Sequence, residues 1–258
     1  MADFDNQAVR SRTGTDQAID QGLRAYMLGI YNYMVLGLAT TGGVGWAVFR
    51  AAFTTDPTAA VGQLNSIYYV TKFGAMLFTP PISYVIMFAP LLFSLFLSFR
   101  ITSLSWRTGA ALFFTFSAVM GLSMAAIFAI YVATDIAKMF FVTAIAFGGL
   151  SLFGYVTKVD MSPMRSFLIM GVWGIVGASL LNFFLVGSTQ LDWVLSVMTV
   201  LVFAGITAYQ TQALKSLYFS VSGDGEATQR VQVMGAYVLY VAFINMFLSL
   251  LRLFGNRN

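Results

Sequence analysis

The sequence predicts an all-α membrane protein with seven transmembrane helices. Two observations carry that class. Hydrophobic residues make up 59% of the chain and charged residues 9%, with a mean hydropathy of +0.80, whereas soluble domains carry about 25% charged residues. A single core could not hide that much apolar surface from water. The apolar residues also gather into seven stretches near the ~20-residue length of a spanning helix: 27–49, 82–99, 109–132, 136–156, 166–187, 191–213 and 233–254.

Residues 1–26 come first, a polar segment with Asp3, Asp5, Arg10, Arg12, Asp16, Asp20 and Arg24. They lack the apolar stretch and small-residue cleavage site of a signal peptide, and their aspartates argue against a mitochondrial leader. They are expected to form a cytoplasmic tail, disordered at its start and helical near "QAIDQGLRAYM". Residues 27–258 then form the transmembrane domain. Between the first two spans, Pro57 to Pro81 is a semi-polar connection whose "YYVTKFGAMLF" is expected along the membrane interface. Only "ATDI" separates the third and fourth spans, so these form a tight hairpin. No internal repeat is evident, which speaks against an inverted-repeat transporter.

Basic residues set the orientation. With the N-terminus inside, nine lysines and arginines face the cytoplasm and five face out, together the fourteen of the chain. Arg252 and Arg257 sit on the outward side, against the trend. Arg252, near a helix end, can snorkel to the headgroups. The net charge of +4 comes from scattered residues and implies no nucleic-acid partner.

The chain has no cysteine and no histidine. Thiol nucleophiles, iron–sulfur clusters, His-ligated haem or zinc and Ser-His triads are thereby closed. No phosphate-binding glycine motif appears, and no GxSxG surrounds a serine. The expectation is a protein that is not an enzyme and holds no metal or other cofactor.

Inside the spans, Gly37, Thr41 and Gly45, and likewise Gly174 and Ala178, repeat small residues at four-residue spacing, which suits close helix packing. Asn32, Asn182, Gln210, Gln212 and Asn245 are the polar side chains within apolar stretches. Such amides are most often interhelical hydrogen bonds, worth about 1 kcal/mol. All ten acidic residues lie in the tail, in loops or near span ends, with Asp135 and Asp192 closest to hydrocarbon. Calcium sites and proton pumps use carboxylates within the bundle.

Two C-terminal stretches, "AGITAYQTQALKSLY" (204–218) and "GAYVLYVAFINMFLSLLRLFGNR" (235–257), resemble the last two helices of the Bax inhibitor-1 (transmembrane Bax inhibitor motif) family, in particular its bacterial YccA-type branch. "AIDQGLRAYMLGIYNYMVLGLA", "APLLFSLFLSFRI", "GLSMAAIFAIY" and "VTAIAFGGLSLFGYVTKVDMS" extend the likeness from about residue 18 to residue 257. The resemblance implies a bundle whose C-terminal helix is central and wrapped by the other six. It also implies a bacterial inner membrane location and a pH-sensitive calcium leak, in which two aspartates share a proton and set the open–closed balance.

The first family aspartate belongs in a Y-D-x-x-x-[IL]-K stretch, which here reads Tyr209-Gln210-Thr211-Gln212-Ala213-Leu214-Lys215. The second belongs in "LYLDFINLF", which here reads Leu239-Tyr240-Val241-Ala242-Phe243-Ile244-Asn245-Met246-Phe247. Gln210 and Ala242 stand where the diaspartyl gate would be, with Asn245, Gln212 and Asn182 as expected polar neighbours. Gln210 keeps the size and hydrogen-bonding capacity of an acid but cannot change charge near neutral pH. Ala242 keeps neither. Two outcomes follow, a pore without its latch or a closed bundle that attracts no cation. The closed bundle is favoured, because an uncompensated cation in an apolar path is costly. Calcium or another cation thus remains a partner only by resemblance. The alternative is a regulatory or binding protein, a modulator or client of a membrane-anchored quality-control protease that engages the tail.

Overall fold

The computed structural model describes residues 2–100 and 104–258, with side chains described from residue 20 onward apart from Ala59 and residues 98–100. Nine α-helices dominate the described residues: α1 (Ala2–Ala52), α2 (Lys72–Phe78), α3 (Ile82–Arg100), α4 (Trp106–Met124), α5 (Ile127–Ile130), α6 (Ala133–Val156), α7 (Met164–Leu181), α8 (Thr189–Val221) and α9 (Gly225–Phe254). Six spans are long and apolar enough to cross a membrane, and α2 with α3 makes a seventh if that pair, bent by 59°, counts as one. The seven-span expectation holds in that form.

The helix starts follow local chemistry. Ser105, Ser188, Asp224 and Thr71 each accept a hydrogen bond from a backbone N–H in the first turn of α4, α8, α9 and α2, satisfying donors that the helix leaves free. The polar tail departs from expectation: α1 is continuous from Ala2. No proline interrupts residues 2–26, so the helix of the first span extends through them. The third apolar stretch breaks at Ala125–Ala126 into α4 and α5, and the fifth ends in a π-helical turn, Asn182–Val186. Gly187 closes that turn at φ 63°, a conformation that a side chain would strain.

The Pro57–Pro81 connection carries more structure than the sequence suggests. Strands β1 (Phe53–Thr54), β2 (Gly62–Gln63) and β3 (Tyr69–Val70) form an antiparallel sheet in the order β1-β3-β2, with Phe53 opposite Val70 and Gln63 opposite Tyr69. The stretch expected along the interface is thus divided between β3 and α2.

The core is built around α9. Its most apolar window is 67% buried, against 6–33% for the other spans. It packs against α1, α4, α6 and α8. Of the other two spans, α3 lies mainly against α4 and reaches α9 through Ser94, while α7 lies against α8. The expected even wrapping by all six helices is therefore corrected to four close neighbours, a fifth that touches at one point and α7 at the periphery. The physical reason lies in α7, whose window is 6% buried and whose apolar side chains Phe167, Met170 and Trp173 point outward, as suits contact with lipid.

Small residues set the close approaches. A Cβ on Gly121 would lie 2.5 Å from the Thr41 carbonyl oxygen, and one on Gly37 would meet the Phe113 ring, so the expected small face of α1 does pack, against α4. Gly174 faces open space, so the second expected small face does not. On α7 the contact runs through Gly171, opposite Val202 of α8.

Candidate functional site

The two gate positions come to the same height in the bundle. α8 and α9 run antiparallel, with Thr207 donating to the Met246 sulfur at 3.8 Å and Leu214 packed over Gly235. Between those two contacts lie Gln210 on α8 and Ala242 on α9. Ala242 is 0% exposed. Gln210 is half-buried and lies beside the row of Thr207, Thr211 and Leu214 that is buried between the helices. Its carboxamide makes no hydrogen bond among the described residues.

What fills this level is neutral hydroxyl chemistry. The Tyr31 hydroxyl of α1 is hydrogen-bonded to Ser151 of α6. The Ser151 hydroxyl meets Thr211 of α8 at 3.0 Å, and Thr211 donates to the Thr207 carbonyl at 2.9 Å. Three helices are thereby tied around α9. Nearby, the Thr41 hydroxyl lies 2.6 Å from the Tyr240 hydroxyl and 2.9 Å from the Ser117 carbonyl oxygen, joining α1, α9 and α4. The Tyr237 hydroxyl reaches Ser94 of α3 at 2.6 Å. In hydrocarbon an unpaired hydroxyl is expensive, so these bonds specify the packing.

The amides expected around the gate behave differently. Asn245 donates to the Val241 carbonyl of its own helix at 2.8 Å and bonds to no other helix among the described residues. Gln212 turns outward, donating to the Val159 carbonyl at 2.7 Å and accepting from the Met161 N–H at 2.9 Å, which pins the α6–α7 loop to α8. Asn182 donates to Asp192 at 2.6 Å and to the Ser188 carbonyl at 3.1 Å, and accepts from the Ser188 N–H at 2.9 Å. Asp192 and Gln210 are separated by about 27 Å of α8 at ~1.5 Å per residue, so Asn182 is no neighbour of the gate. Asn182 thus leaves the group, while Gln212 and Asn245 stay within a turn of Gln210 and Ala242 but spend their amides elsewhere. Tyr31, Ser151, Thr211 and Tyr240 carry common, uncharged hydroxyls that no motif marks, and Thr41 stands out in the sequence only as a small residue. Their positions within apolar stretches were the available signal.

Cations and acids lie toward the helix ends. Lys215 donates to the Tyr155 carbonyl at 2.8 Å and lies 4.9 Å from the Tyr155 ring centre. Asp135 and Asp192 occupy the first turns of α6 and α8. Among the described residues no three acidic side chains come together in a way that could hold a metal ion.

Long apolar helices around a buried last helix, tied by neutral hydroxyls, define a multi-pass integral membrane protein. The particular kind follows from sequence comparison. Residues 23–258 match the family model described as "Inhibitor of apoptosis-promoting Bax1". A protein of Caulobacter vibrioides is 38% identical over 257 residues, covering 99% of this chain and 98% of that one. A Rickettsia prowazekii protein is 38% identical, covering 98% and 99%. The protein named "Inner membrane protein YbhL" of Escherichia coli K12 is 39% identical over 237 residues, covering 92% and 93%. The chain belongs to the Bax inhibitor-1 family.

Proposed function

We propose that this chain is an inner-membrane protein with a cytoplasmic N-terminus that keeps the family bundle without acting as a pH-gated calcium leak. Its role is then to bind or regulate another membrane component. The observation that carries the reading is the pairing of Gln210 with Ala242 at one height. One side chain cannot ionise near neutral pH, and the other is a methyl group with no exposed surface. The hydroxyl chain of Tyr31, Ser151 and Thr211 ties the same level without a carboxylate among its members.

The test is calcium efflux from liposomes holding the purified chain, between about pH 6 and pH 8, where a coupled acid pair would titrate. The native chain is expected to be silent, and Gln210→Asp/Ala242→Asp to leak with a pH dependence. A pH-dependent leak from the native chain would overturn the reading. The polar sequence of residues 1–26 is the segment a membrane-anchored quality-control protease would engage. If it does so, deleting residues 1–20 abolishes capture of that protease while leaving the bundle intact.

A further inference from the structure

An apolar crevice of about 330 Å³ opens between α1 and α6. These two helices flank α9 and are bridged by Tyr31 and Ser151 toward the end of the bundle that carries Lys215. Toward the other end they part. Leu38 and Gly42 form one wall, Ala137 and Phe140 the other, and Phe243 and Phe247 of α9 the floor. The polar side chain in the lining is Thr41, whose hydroxyl is already engaged with Gly37, Ser117 and Tyr240. Nothing there is left to recognise an ion or a polar group, and apolar cavities of this kind stay dry.

The crevice is continuous with the lipid-facing surface. Val35 and Trp46 on α1, and Phe141 and Ile145 on α6, are all more than half exposed at its flanks, as suits contact with hydrocarbon. The crevice therefore opens onto bilayer hydrocarbon, and a lining with no free polar group suits a hydrocarbon chain. Room for it comes from small wall residues, since a Cβ on Gly42 would meet nothing within 4 Å. We propose that this crevice is a binding site for one acyl chain of a membrane lipid, held against α9 between α1 and α6.

The test uses the full chain in liposomes that contain a phospholipid with a diazirine near the middle of one acyl chain. After irradiation, labelled peptides are mapped by mass spectrometry. Labelling per residue should be higher on 38–42 and 133–141 than on 167–173, the outward surface of α7. Gly42→Leu fills the crevice from one wall and Ala137→Leu from the other. Either should cut labelling of the crevice roughly tenfold, a 1.4 kcal/mol loss of occupancy, with α7 labelling unchanged. Even labelling of α7 and the crevice, or labelling that survives both substitutions, would overturn the proposal. Two variants from opposite walls keep the test decisive if one of them fails to fold.

Discussion

Asp135 holds Asn256 by two atoms at once. Its carboxylate accepts the Asn256 backbone N–H at 3.0 Å and the side-chain amide at 2.7 Å, while Lys138 donates from 3.2 Å. The carboxylate is nearly buried. Around it the last residues form a clasp: Val132 donates to the Asn256 carbonyl, Asn258 donates to the Ile130 carbonyl, and Arg257 lies over the Tyr131 ring. Asn65, from the loop between β2 and β3, donates to the Ala129 carbonyl of the same turn. Replacing Asp135 with alanine should therefore lower stability modestly, because the clasp loses its shared acceptor while water can still reach the donors on exposed Asn256 and Lys138. Thermal unfolding in detergent, with limited proteolysis of the C-terminus, measures it. An unchanged midpoint and cleavage rate would show that the clasp is not held by its carboxylate.

Thr41 and Tyr240 offer a cleaner measurement of one interhelical bond. Thr41→Val and Tyr240→Phe each remove one hydroxyl with little change in shape. Their double-mutant cycle should give a coupling of about 0.6–2 kcal/mol, the range for hydrogen bonds between membrane helices. Additive single effects would mean that the two hydroxyls contribute through other partners.

Glycines of one helix type should differ sharply. A Cβ on Gly154 would stand 2.2 Å from the Ala208 carbonyl oxygen, a backbone atom that cannot move aside cheaply. Gly154→Val should push α6 from α8 and cost roughly 1–3 kcal/mol or more. Gly174→Ala meets open space and should be neutral or slightly stabilising, because alanine is about 1 kcal/mol the better helix former. A comparison of melting midpoints decides both.

Ala242→Asp on its own should be poorly tolerated. The position has no exposed surface, and an acid at mid-bilayer costs about 2.5–3.5 kcal/mol on insertion scales. Expression and thermal stability of the single variant are expected to fall below those of Gln210→Asp. Equal stability of the two variants would mean that water or a polar partner reaches Ala242.

Composition and the length of the apolar stretches carried the fold class, because a membrane span announces itself through length and apolar content alone. Gln210 and Ala242 were singled out by the likeness to the family's motifs, one on each helix, and not by composition or spacing. Which helices touch α9 was not legible. That depends on where small residues such as Gly121 and Gly154 permit contact, and a glycine facing lipid, such as Gly174, looks the same in sequence. The amides misled for a related reason. Asn182, Gln212 and Asn245 found partners in a turn, a loop and their own helix, all nearer in the chain or more accessible than another span. The small sheet β1–β3 escaped notice because its two-residue strands are too short to show alternation.

The hydroxyl ties around α9 also bear on how the protein responds to a membrane under voltage. Moving one elementary charge through 100 mV is worth about 2.3 kcal/mol, enough to rearrange a marginally packed helix. The ties Tyr31–Ser151–Thr211, Thr41–Tyr240 and Ser94–Tyr237 carry no charge, and the charged side chains nearest the bundle, Asp135, Lys215 and Arg252, stand in or near terminal turns. An electric field therefore has little to pull on at the heart of this bundle, and the packing of α9 should be the same in an energised membrane as in a resting one.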